Sequence, residues 1–151
     1  MSPRALALDL DGVLGDTRPL WHEWLEDAAR RLRLDGLDLP EDRVAAAAEL
    51  DALAGNWRVL LERFAEDRAP VHFRPNADAS AALRRLQAEG VSLGAFSDAP
   101  EPLARIALEH LGAVRRLEAW EAGPGALDRL LARLGPETAV LYTRPELLSS
   151  I

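Results

Sequence analysis

Residues 5–17 read Ala5-Leu6-Ala7-Leu8-Asp9-Leu10-Asp11-Gly12-Val13-Leu14-Gly15-Asp16-Thr17, and their reading decides the architecture. A short apolar run that ends on two acids and a glycine fits a buried strand over residues 5–10 feeding a tight turn, and does not fit a helix. Downstream, Pro19 to Leu34 carries Leu20, Trp21, Trp24, Leu25, Ala28, Ala29 and Leu32 at three- and four-residue spacing. That spacing predicts an amphipathic helix, punctuated by Gly36 and Pro40. Glu41 to Leu53 predicts a second helix with acids in its first turn, and Trp57 to Ala65 a third. Residues 17–69 therefore read as a helical insertion after the first strand.

Beyond Arg74-Pro75-Asn76 the pattern becomes an alternation. A helix over Ala81 to Ala88, with Asn76 or Asp78 as its cap, leads to a strand from Val91 to Phe96 that ends at Ser97-Asp98. A helix from Glu101 to Leu111, a strand within Val114 to Trp120, a helix from Ala126 to Leu134, a strand from Ala139 to Tyr142 and a helical stub from Pro145 complete the order. Strands joined through helices pair in parallel. The predicted fold is α/β: a doubly wound, Rossmann-like parallel sheet formed by residues 1–16 and 70–151, with a small α-helical cap over 17–69.

Composition narrows the function. Twenty-five acidic against 18 basic residues give a net charge of −7 over 151 residues, which argues against nucleic acid or an anionic membrane as partner. Cysteine is absent, so disulfides, thiolate nucleophiles and zinc-thiolate sites are excluded. The apolar run before Asp9 is too short for a signal peptide and no run approaches the ~20 residues of a membrane span, so a cytoplasmic location is expected. All 18 basic residues are arginine, so a task that needs a lysine amine must be unfilled or taken by an arginine.

In an open parallel sheet, ligands bind beyond the carboxyl ends of the strands. The residues there are Asp9 and Asp11, Ser97 and Asp98, and Thr143 and Arg144. Two carboxylates so close together need a compensating cation or a phosphoryl ligand. A calcium loop of the EF-hand type fails, because glycine falls at its fourth position and Leu20 stands where the bidentate glutamate belongs. A Ser-His-Asp reading around Ser97 lacks the Gly-x-Ser-x-Gly elbow.

The stretch Leu8 to Thr17 closely resembles the first motif of the haloacid dehalogenase-like superfamily, an Asp-x-Asp-Gly-x-Leu signature followed by Asp-Ser or Asp-Thr. Ala95-Phe96-Ser97-Asp98 resembles its second motif, and the likeness is greatest to the phosphoglycolate-phosphatase-like branch with its small helical cap. This resemblance implies a phosphohydrolase acting on a small phosphomonoester: Asp9 as nucleophile forming an aspartyl-phosphate, Asp11 as acid and base, and Ser97 bonding the phosphoryl group. It also implies Mg²⁺ held by Asp9 and by the backbone carbonyl of Asp11. The third and fourth motifs depart from the pattern. Gly123-Pro124 stands where the family has Lys-Pro, which leaves Arg105, Arg115 or Arg116 as replacements, and Thr143-Arg144 stands where the last strand leads into a metal-binding acid.

That erosion weakens the expected magnesium site and opens the alternative of a catalytically silent domain that binds an anionic small molecule or a protein. The expected substrate contacts are Ser97, Asp98, Trp21, His22 and Arg144. Arg144, or failing it another arginine, is expected within salt-bridge distance of Asp9 or Asp11, at the usual magnesium position. A homodimer is expected to cover the sheet where relatives carry further elements.

Overall fold

The computed structural model describes residues 3–31 and 38–151. Strand β1 (Ala5–Asp9) is buried throughout its apolar length and pairs in parallel with β2 (Ser92–Ser97) on one side and β4 (Thr138–Leu141) on the other. Strand β3 (Ala119–Ala122) extends the sheet beyond β2, giving the order β3-β2-β1-β4 with every pair parallel. From β1 the chain steps outward through β2 to β3, then crosses back to β4 on the far side of β1. This reversal defines a doubly wound sheet.

Helices cover both faces. Helix α6 (Ala126–Leu134) buries Ala126 and Leu130 against Ala7, Phe96 and Ala119. Helices α4 (Ala77–Ala88), α5 (Glu101–His110) and α7 (Arg144–Leu148) share a larger core with Leu6, Leu8 and Leu93. Asn76 caps α4, its side chain accepting from the Ala79 N–H at 2.9 Å. The strand expected within Val114 to Trp120 begins only at Ala119: Val114–Arg116 form a single 3₁₀ turn, and pairing starts once Glu118 N–H donates to Leu93 O.

The insertion consists of α1 (Arg18–Arg31), α2 (Arg43–Leu53) and α3 (Trp57–His72). The expected continuation of the first helix through Leu32 and Leu34 to Gly36 lies outside the described residues. Helix α3 runs two turns past the expected end at Ala65, because Trp57, Leu61, Ala65 and Ala69 keep one buried stripe and small residues hold the period as well as large ones. The three indoles of Trp21, Trp24 and Trp57 pack on one another with ring centroids 5.5–6.2 Å apart. Each is at most 2% exposed, so they form the cap's own core. Among the described residues no helix is long and apolar enough to cross a membrane.

Candidate active site

The end of β1 is shaped by a tight loop over Leu10–Leu14, closed by Gly15 N–H donating to Leu10 O at 2.9 Å and Gly12 N–H donating to Gly15 O at 2.8 Å. Gly12 sits at φ 126°, and a Cβ there would collide with the carbonyl oxygen of Tyr142; glycine alone meets both demands. The loop sets Asp9 and Asp11 side by side. They face a pocket of about 620 Å³ whose lining includes Ser97 and Asp98 from the β2 tip, Gly123 and Gly125 after β3, and Trp21, His22 and Arg43 from the cap.

Asp9 accepts from the Asp11 N–H at 3.0 Å, and among the described residues no cation forms a salt bridge with it. Burial pushes its carboxyl up to about 6, reinforced by the charges of Asp11 and Asp98 and opposed by the Asp11 N–H bond and Arg18. Asp11 is held far more tightly. Its Oδ1 accepts from both the N–H and the hydroxyl of Thr17, each at 2.7 Å, and its Oδ2 accepts from Ser97 Oγ at 3.0 Å and from an Arg43 amine nitrogen at 2.5 Å.

Arg43 organises the rest. It is 4% exposed at the first turn of α2, and all three of its nitrogens donate: the nitrogen on Asp11 also donates to Asp98 Oδ1 at 2.5 Å, Nε donates to the same oxygen at 3.1 Å, and the other terminal nitrogen donates to the Thr17 hydroxyl at 2.6 Å. The sequence reading did not single out Arg43. A signal existed, since Arg43, Ala46 and Leu50 fall on one helical stripe and a charge on a buried stripe needs a partner.

The expectation for Arg144 is overturned. Its guanidinium donates to the backbone carbonyls of Val13 and Leu14, both at 3.0 Å, and so braces the loop after Asp11 from behind. Two loop carbonyls side by side match the guanidinium fork and take it. The salt-bridge distance expected of another arginine is reached by Arg43, on Asp11. None of the three proposed lysine replacements reaches the pocket: Arg105 pairs with Glu62 and Glu101, Arg116 bonds Gln87, and Arg115 lies with it beside a separate depression near Leu83 and Leu111. Of the expected substrate contacts, Ser97, Asp98 and exposed His22 line the pocket, while Trp21 backs its wall from the cap core at 1% exposure.

A divalent ion does not fit this donor set. Among the described residues no three His, Cys, Asp or Glu side chains group to hold one. Asp98 is engaged by Arg43, and Glu146, the acid nearest the β4 tip, turns back to accept from the N–H groups of Tyr142 and Thr143 at the head of α7.

The family model "Hydrolase: haloacid dehalogenase-like hydrolase" matches residues 3–142, and the chain belongs to that family. No curated protein sequence matches it. Among solved structures it is similar to CbbY from Rhodobacter sphaeroides in complex with phosphate, with a TM-score of 0.69 and 15% identity over 91% of this chain and 76% of that one. It is also similar to a HAD phosphatase from Thermococcus onnurineus, with a TM-score of 0.58 and 19% identity over 94% and 77%. Protein Tyrosine Kinase A of Mycobacterium tuberculosis gives a TM-score of 0.56 and 21% identity over 93% and 75%. Likenesses this distant share a fold across differently named activities, so function must be argued from the site.

Proposed function

We propose that the chain is a phosphohydrolase acting on a small phosphomonoester through an aspartyl-phosphate at Asp9. The observation that carries this reading is the unequal treatment of the paired acids: Asp9 faces the pocket without a clamping cation, while Asp11 is oriented by Thr17, Ser97 and Arg43. A nucleophile must be free to attack, and an acid and base must be positioned. An Asp9 carboxylate oxygen bonds to phosphorus as the ester P–O bond breaks, and the leaving oxygen takes a proton from Asp11. Water then attacks phosphorus, gives its proton to Asp11 and releases phosphate and free Asp9. Ser97, whose one hydroxyl proton rests on Asp11, turns it to a phosphoryl oxygen when substrate is bound. A cap as small as α1 to α3, set over the strand tips, supports a small substrate.

One observation favours a second reading. Asp11 accepts four hydrogen bonds in this arrangement, and a carboxylate so engaged gives up no proton until its partners move. On that reading the pocket binds an anionic molecule or a protein without turnover. Hydrolysis of p-nitrophenyl phosphate by the wild type and by Asp9→Asn separates the two: turnover lost in the variant supports the hydrolase, and equal background in both supports the silent domain.

A further inference from the structure

Two carboxylates, Asp11 and Asp98, meet one cation where β1 and β2 end, and that cation belongs to the cap. Arg43 lies 2.5 Å from both Asp11 and Asp98, with its third donor group on Thr17. Asp9, Glu41 and Asp128 also line the pocket, together with Arg18, which is paired with Asp16. Glu146, the acid nearest the β4 tip, is turned to another task as the cap of α7, and Arg144, which has no lone pair to offer an ion, braces the loop beneath Asp11.

We propose that Arg43 is the resident counter-ion of this site, and that its clamp and a divalent cation exclude one another. A divalent ion held by Asp9 and Asp11 would have to share Asp11 with the guanidinium already on its carboxylate, in a pocket where charges are weakly screened. A guanidinium cannot relieve that repulsion by losing its proton. It must withdraw, and because it is anchored in the first turn of α2, its withdrawal breaks ties between cap and core at Asp11 and Asp98 together. Cation entry and release of this clamp are therefore one event.

The inference rests on reading Asp9 and Asp11 as the reaction centre, but its test reads metal binding without substrate. The full chain is titrated with Mn²⁺ at neutral pH, with free ion followed by electron paramagnetic resonance, for the wild type, Arg43→Met and Arg43→Met combined with Asp9→Asn. Arg43→Met is expected to bind one Mn²⁺ on the order of tenfold or more tighter than the wild type, and the added Asp9→Asn to abolish the gain. Wild-type binding as tight as that of folded Arg43→Met overturns the proposal. Should Arg43→Met fail to fold, Asp9→Asn in the wild-type background decides: the two chains are expected to bind Mn²⁺ equally weakly, and wild-type binding on the order of tenfold or more tighter than that of Asp9→Asn overturns the proposal. Neither readout involves turnover, so an inactive chain can satisfy the proposal and an active one can contradict it.

Discussion

At Asp9 the costs of function and of stability meet. Burial first, then the neighbouring acids, lift its carboxyl from 3.8 to about 6, so between those values the folded chain binds more protons than the unfolded one. By linkage, this group's contribution to stability is present below about pH 4 and is lost as pH rises through about 6. Above that, the folded chain carries an ionised carboxylate that it holds at a cost. Asp9→Asn is thus expected to raise the melting temperature at pH 7.5 while abolishing turnover. The roughly 3 kcal/mol implied by the shift alone falls to about 1 kcal/mol at a half-exposed group screened by solvent. Turnover by the wild type is expected to climb through about pH 6, and a flat profile across that range contradicts Asp9 as the nucleophile. Arg144→Ala removes two bonds to the carbonyls of Val13 and Leu14, with an expected loss of about 1–3 kcal/mol in a urea melt; no loss would deny the bracing role. The acids of the site could be read from sequence because they abut the glycine of a strand-to-turn motif. Their cation could not, since Arg43 lies 32 residues from Asp11 and 55 from Asp98 in the chain.

Element by element, periodicity found every helix in the described residues, and lost its edges where small residues carried the pattern. The expected end of α3 at Ala65 falls short because Ala69 looks neutral in isolation, although it is fully buried. Strand β3 was displaced because Val114 is an exposed β-former, and pairing depends on where the chain reaches Leu93, which no local propensity encodes. The β1 loop is the most tightly specified element. Gly12→Ala brings a Cβ onto the Tyr142 carbonyl at a positive φ, and is expected to cost about 2–4 kcal/mol by strain and overpacking together. Chemical denaturation checks this, and a variant as stable as the wild type would show that the loop relaxes at little cost.

Over the whole molecule, one face of the cap is apolar cement and the other is chemistry. Its three indoles are sealed from solvent, whereas Arg43 and His22 look onto the strand tips. The sheet order β3-β2-β1-β4 brings Asp9, Asp11, Ser97 and Asp98 to one end, and this convergence follows from parallel winding alone once the strands are recognised. Which cap residue meets those tips is set by packing between segments distant in sequence. The central claim, that Asp9 takes the phosphoryl group, is tested most directly by mixing the full chain with acetyl phosphate, quenching in acid and mapping peptides by mass spectrometry. A phosphoryl adduct on Asp9, lost on hydroxylamine treatment and absent from Asp9→Asn, is the predicted result. Turnover that proceeds with no adduct on Asp9, or an adduct on another residue that persists in Asp9→Asn, would contradict it.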